Sequence, residues 1–142
     1  DRKTNLIKLA HGEWVSPQDL EALFTSACPS LDQICIHCLP GATGVAAIVV
    51  PASRCQKEFN DEQKLETMLQ AEILAAAKVY KLRTWEVPRT VLLSMEAFST
   101  ENGLVTASGK LSRSKVAAKY AALLASRTST SFVESLLSRL RE

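Results

Sequence analysis

The sequence predicts a small α+β domain: a short N-terminal β-hairpin, then a central, antiparallel-rich three-stranded sheet flanked by helices. Two observations carry this. Strand-length apolar runs at 31–39, 45–50 and 91–93 are punctuated by Pro29, Pro40, Pro51 and Pro88. Around them, apolar residues return at helical spacing, most clearly at Leu65, Met68, Leu69, Ile73, Ala76 and Tyr80. Interleaved short strands and helices in a chain of 142 residues fit one domain, or one domain with a tail.

In chain order, the weakly alternating segment 5–10 meets His11-Gly12 and then Glu13-Trp14-Val15, which reads as a hairpin turning at Gly12. Ser16-Pro17-Gln18-Asp19 is a helix start, with Ser16 as cap, Pro17 in the first turn and Asp19 completing a capping-box pattern. Leu20, Leu23 and Phe24 supply that helix's buried side. Pro40-Gly41-Ala42-Thr43-Gly44 is the loop of an antiparallel pair. Asn60 with Gln63 is the expected cap of a long helix reaching Tyr80, and Pro88 precedes the third strand. The polar, glycine-bearing stretch 100–112 reads as a loop and 113–125 as a helix. The Ser/Thr-rich stretch 127–131 reads as a linker. Ser131 with Glu134 reads as the start of a last amphipathic helix bearing Phe132, Leu136, Leu137 and Leu140. The predicted order is β-β-α-β-β-α-β-α-α.

Composition narrows the class. Hydrophobic residues make up 46% of the chain, enough for a real core. The formal charge of +2 is small and its basic residues are scattered, which argues against a nucleic-acid or acidic-membrane surface. No apolar run approaches the roughly 18 residues of a membrane span, and no segment reads as a cleavable signal. The start at Asp1, without Met, reads as that of a fragment. Four cysteines, at 28, 35, 38 and 55, accompany abundant aliphatic residues. Such a chain does not need disulfide staples, so reduced thiols and a cytoplasmic location are expected.

Four stretches invite a chemical reading. The loop ending in Gly109-Lys110 could deliver a point charge to a phosphate or carboxylate, with Gly109 letting the backbone approach a ligand. Spacing alone does not separate it from an ordinary surface loop. Arg2, Lys3 and Lys8 near the hairpin could bind a ribose or phosphate, or could simply solvate an edge strand. Cys35-Ile36-His37-Cys38 suggests zinc, but it lies in a predicted strand. Alternation puts Cys35 and His37 on one face and Cys38 on the other, and no second ligand pair follows. No metal site is expected, and small core residues are the plainer reading. Gly41-Ala42-Thr43-Gly44 lacks the ending of a phosphate-binding loop and reads as a turn. His11 and His37 have no Ser, Cys or Asp partner at a recognisable spacing.

Two of these signals belong together. The stretch 1–15, Asp-Arg-Lys-Thr-Asn-Leu-Ile-Lys-Leu-Ala-His-Gly-Glu-Trp-Val, resembles the hinge and following hairpin of the adenylate-forming superfamily. Downstream come Glu86-Val87-Pro88-Arg89, Phe98, Asn102-Gly103-Leu104 and Gly109-Lys110-Leu111-Ser112-Arg113. These are similar to the superfamily's closing motif, Pro-Arg followed by Gly-Lys-x-x-Arg. Lys8-Leu9-Ala10-His11-Gly12-Glu13, with Phe98 and Asn102-Gly103-Leu104, looks most like long-chain acyl-CoA synthetases and carboxylic acid reductases.

The resemblance implies that residues 1–125 are the C-terminal lid of an acid-activating enzyme. Residues 126–142 would then be a linker and helix leading toward a downstream domain, such as a carrier domain. It implies an N-terminal adenylation subdomain in cis that holds most of ATP with Mg and the carboxylic acid. The acid would become acyl-AMP, and the thiol of CoA or of a phosphopantetheine arm would then displace AMP. Lys110 would bridge the carboxylate and the α-phosphate. Lys8 would lie near the phosphate or the thiol tunnel, and Arg2 would bond the ribose at the hinge. Gly12 and Glu13 would enter the site in the thioester-forming pose. At the pivot, where the superfamily often has Lys or Asp, this chain has Thr4, and Lys3 is the neighbour available to share the role. The isolated fragment would be inactive. The rival reading is a non-catalytic α+β binding or assembly module, for which Lys110 would be dispensable.

Overall fold

A computed structural model of the chain describes residues 6–38 and 42–126. The expected turn at Pro40-Gly41, the linker 127–131 and the helix from Ser131 lie outside the described residues.

Strand β1 (Ile7–Lys8) pairs antiparallel with β2 (Trp14–Val15), and the chain reverses at Gly12, whose φ of 93° is left-handed. Helix α1 (Pro17–Ala27) starts as the sequence indicates: Ser16 is the cap, and its side chain accepts a hydrogen bond from the Asp19 N–H. Leu20 and Phe24 are buried beneath it.

The central sheet has the order β3 (Leu31–His37), β4 (Ala46–Pro51), β5 (Thr90–Leu93). β3 and β4 are antiparallel, with Ile34 opposite Val49 and Ile36 opposite Ala47. β5 runs parallel to β4, with Ala46 opposite Thr90. A parallel neighbour needs a crossover, and two helices provide it. The shorter, α2 (Ser53–Glu58), is absent from the sequence-based order; its six residues are too few to show a period. The longer, α3 (Glu62–Val79), is capped by Asp61, which accepts from the Gln63 N–H, rather than by Asn60. The two candidates are adjacent and equally good cap formers, so pattern alone does not choose between them.

The sheet is covered on both faces. Ile34, Ile36, Ala47, Val49 and Val91 face a core built from the hairpin, α1 and α3, with Leu9, Val15, Phe24, Leu69 and Ile73. Cys35, Ile48, Val50 and Leu92 face a second, smaller core with Phe98, Leu104, Val116 and Leu124. That is why β4 reads as an unbroken apolar run instead of an alternating one. The expected helix 113–125 is interrupted. α4 (Arg113–Lys119) stops at Tyr120, and a further helical segment runs over 121–126. Among the described residues no helix is long and apolar enough to cross a membrane.

Helix α3 ends without glycine. Lys81 takes the left-handed position with φ 55°, its N–H bonded to the Lys78 carbonyl. Replacing Lys81 with Gly removes a steric cost of ~1–2 kcal/mol at the expense of some chain entropy. The expected outcome is a gain of about 0.5–1 kcal/mol in urea unfolding. A loss of stability contradicts the backbone reading.

Candidate functional site

Lys110 sits at the end of a tight loop whose order comes from its backbone. The Thr106 N–H donates to the Lys110 carbonyl at 2.7 Å, and the Gly109 N–H to the Thr106 carbonyl at 2.9 Å. The Thr106 hydroxyl accepts from the Lys110 N–H at 3.1 Å. Gly109 has φ 87°, which explains a glycine directly before the lysine. Val105 bridges Leu111 across the stem. The Lys110 side chain is exposed and has no hydrogen-bond or ion-pair partner among the described residues.

Two anchors hold that loop to the body. On the entry side, the Gln33 side-chain amide clamps the Phe98 backbone. Its Nε2 donates to the Phe98 carbonyl at 3.0 Å and its Oε1 accepts the Phe98 N–H at 2.7 Å. Asn102 then folds the turn, its Oδ1 accepting from the Ser99 and Leu104 N–H groups and its Nδ2 donating to the Ala97 carbonyl. The run Asn102-Gly103-Leu104 is thus a turn with a buried leucine plug. On the exit side, Arg113 makes a forked ion pair with Glu21 of α1, at 2.8 Å from Nε and 2.5 Å from Nη2. Glu21 also accepts the Ile36 N–H of β3 at 2.8 Å. The partner carboxylate raises the Arg113 pKa above its ordinary value.

The hairpin candidates lie on the other side of the molecule's sheet. Lys8 is exposed, with its ammonium 5.8 Å from the centre of the Trp14 ring, its cross-strand partner. Gly12 and Glu13 are exposed at the turn. A Cβ on Gly12 would meet nothing within 4 Å, so the chain itself demands glycine there for φ, not for space. The turn is fastened by the Ala10 N–H to the Ala42 carbonyl at 2.9 Å and by His11 edge-on to Trp85, 4.9 Å between centroids. That aromatic contact was not legible in sequence, because its partners are more than seventy positions apart. Leu9 and Val15 belong to the larger core, whereas Leu104, Val105 and Leu111 beside Lys110 belong to the smaller one. The structure therefore does not bring Lys110 together with Lys8, Gly12 and Glu13; it places the two groups on opposite faces of one sheet. Arg2, Lys3 and Thr4 lie outside the described residues.

Cys35 and Cys38 pack on opposite faces, as alternation predicts. Burial, and then the nearby Glu21, push the Cys35 thiol up to about 12. Burial, and then Glu72, push Cys28 to about 11, which leaves both as inert core thiols. No group of three or more metal-ligating side chains is gathered among the described residues.

This fold, with an ordered polar loop on one face and a charged hairpin on the other, is shared with part of solved adenylation domains. No family model matches the sequence. The chain is 31% identical over 120 residues to the carboxylic acid reductase of Segniliparus rugosus, covering 84% of this chain and 10% of that protein. It is 31% identical over 134 residues to long chain acyl-CoA synthetase 8 of Arabidopsis thaliana, covering 84% of this chain and 18% of that protein. Among solved structures, the AMP-bound A-PCP didomain of the Segniliparus rugosus carboxylic acid reductase superposes with a TM-score of 0.82. That match is 29% identical and covers 99% of this chain and 19% of that one. Its homologues are thus carboxylic acid reductases and long-chain acyl-CoA synthetases, and its structural neighbours are adenylation domains of the adenylate-forming superfamily. The chain spans between 10% and 20% of the length of these relatives.

His37, at the end of β3, is half-buried, and burial lowers its pKa below the ordinary 6.5. The unfolded chain then takes up a proton at a higher pH than the folded one, so the folded state loses stability as pH falls below about 6.5. The loss stops once pH passes below the folded-state pKa. His37→Gln is expected to flatten that part of the stability–pH curve; an unchanged slope removes His37 as its source.

Proposed function

We propose that this chain is the lid of an ATP-dependent acid-activating enzyme, working in cis with an N-terminal adenylation subdomain. The observation that carries the proposal is the placement of Lys110 and of the Gly12-Glu13 turn on opposite faces of one doubly covered sheet. A rigid body so built can offer only one of the two to a single site at a time. That suits a two-step reaction in which the lid turns about a hinge at Arg2, Lys3 and Thr4 between steps.

In the first step, a carboxylate oxygen attacks the α-phosphorus of ATP, pyrophosphate leaves, and acyl-AMP forms. Two anions approach each other, and the Lys110 ammonium, exposed and without a competing partner among the described residues, offsets the charge that builds between them. The triphosphate with its Mg ion and the acid would be held mainly by the N-terminal subdomain. In the second step, the sulfur of CoA or of a phosphopantetheine arm attacks the acyl carbon, and AMP leaves. Gly12 and Glu13 would then border the thiol's path, with Lys8 beside them. Residues 1–125 would form the lid, and 126–142 would lead as linker and helix toward a downstream domain such as a carrier domain. A carboxylic acid is the substrate class, and reduced cysteines suit a cytoplasmic enzyme.

In the longer protein that carries this chain, Lys110→Ala is expected to lower acyl-adenylate formation by about 10²–10³-fold. Thioester formation from pre-made acyl-AMP should change little. Normal ATP–pyrophosphate exchange in that variant overturns the assignment and favours the non-catalytic binding or assembly module.

A second measurement separates bulk from strain at Gly12. Gly12→Ala carries the left-handed φ penalty without much volume, and Gly12→Leu carries both. The thiol step is expected to fall at least 10-fold further in the Leu variant than in the Ala variant, with adenylation similar in the two. Equal losses in both half-reactions count against the turn's place beside the thiol.

A further inference from the structure

The last arginine of the Gly109-Lys110-Leu111-Ser112-Arg113 run does not reach outward as its lysine does. It is spent on Glu21, 92 positions earlier. Glu21 lies on α1, which packs on the larger core, whereas α4, opened by Arg113, packs on the smaller one through Val116. The ion pair therefore reaches around the outer edge of the sheet, from the layer on one face to the layer on the other. The edge is that of β3, which among the described residues pairs with no strand on its outer side. An edge strand points alternate N–H groups away from its partner. The Glu21 carboxylate takes the one from Ile36, so a single side chain fastens α1, β3 and α4 together.

The carboxylate is well shielded, at 12% side-chain exposure against 33% for Arg113, so the pair is not a solvated surface contact. The fork geometry fixes direction as well as distance, which a single-point lysine contact would not. Lys110 lies three residues upstream, and its exposed side chain has no hydrogen-bond or ion-pair partner among the described residues. The loop's orientation therefore rests on its two stems. The entry stem hangs from Gln33, also on β3, and the exit stem from Glu21.

We infer that Glu21 is a positioning residue: through Arg113 and the Ile36 N–H, it aims the Lys110 loop relative to the sheet. This rests on the proposed role of Lys110 in adenylation. The relevant distinction is between a clasp that aims one loop and a salt bridge that merely stabilises the domain. Glu21→Gln keeps the shape of the side chain, and its amide oxygen can still accept from Arg113 or Ile36, but the charge-assisted fork is lost.

In the full-length protein, Glu21→Gln is expected to lower the rate of acyl-adenylate formation about 10-fold. Thioester formation from pre-made acyl-AMP should stay within about twofold. Arg113→Lys should give an intermediate loss. In a Lys110→Ala background, Glu21→Gln should cause no further loss of adenylation, because there is no longer an ammonium to aim. Amide hydrogen exchange supplies a readout independent of activity. Exchange across 105–112 should quicken at least 10-fold in Glu21→Gln while the amides of β4 keep their protection. Multiplying losses in the double variant, equal losses in both half-reactions, or faster exchange throughout the sheet would each overturn the inference in favour of plain stabilisation. If Lys110→Ala is itself without effect on adenylation, the proposed function falls. The exchange result then still decides whether the clasp orders the loop.

Discussion

Everything in this chain is arranged around a three-stranded sheet that must be covered twice. Side chains of β3, β4 and β5 alternate between two separate cores, so neither face can be left to water. The larger face takes the hairpin, α1 and α3; the smaller takes the segment after β5, through Phe98, Leu104 and Val116. Covering both faces from one short chain forces a crossover, and that crossover makes β5 parallel to β4. It also sends the N-terminal hairpin and the Lys110 loop to opposite sides. The separation of the two candidate groups is thus a consequence of how the core is buried.

Much of this was legible. The hairpin at Gly12, the cap at Ser16, the antiparallel pair and the period of α3 all follow from local rules, because each is decided by residues within a few positions. What was not legible depends on partners far along the chain. The direction of β5 is set by a crossover, and a run of three apolar residues, 91–93, carries no sign of it. The break at Tyr120 is similar. Its hydroxyl meets the buried Ser94 hydroxyl at 2.5 Å, a contact across 26 positions that periodicity does not register.

The candidate site divides in the same way. Gly109-Lys110 and Gly12-Glu13 stood out in sequence, and the left-handed φ at both glycines gives a local reason for those residue types. The residues that hold these loops did not stand out. Gln33, Glu21 and the His11–Trp85 contact are ordinary letters in a helix, a strand and a turn. The Arg113 of the closing motif was visible as a pattern, but its partner was not, since nothing in Asp19-Leu20-Glu21 marks a carboxylate that turns the sheet edge.

These supporting contacts bear on why a lid of this kind needs a real core at all. A loop that only had to be flexible could hang from any surface. On the proposed reading, Lys110 must arrive at a phosphate within hydrogen-bond reach after a rotation of the whole body, and a misplacement of about 1 Å at the reacting atoms is costly. An error in angle at the hinge grows with distance from it, so the body between hinge and lysine has to move as one piece. Two apolar cores sharing a single sheet resist shear between their layers, since interdigitated side chains cannot slide without opening voids. The remaining soft direction is at the edges of the sheet, such as that of β3, where the layers could splay. The β3 edge is where Glu21 joins Arg113 to Ile36, and where Gln33 holds Phe98. The polar clasps lie where hydrophobic packing constrains least, which is the placement the proposed rotating lid would require.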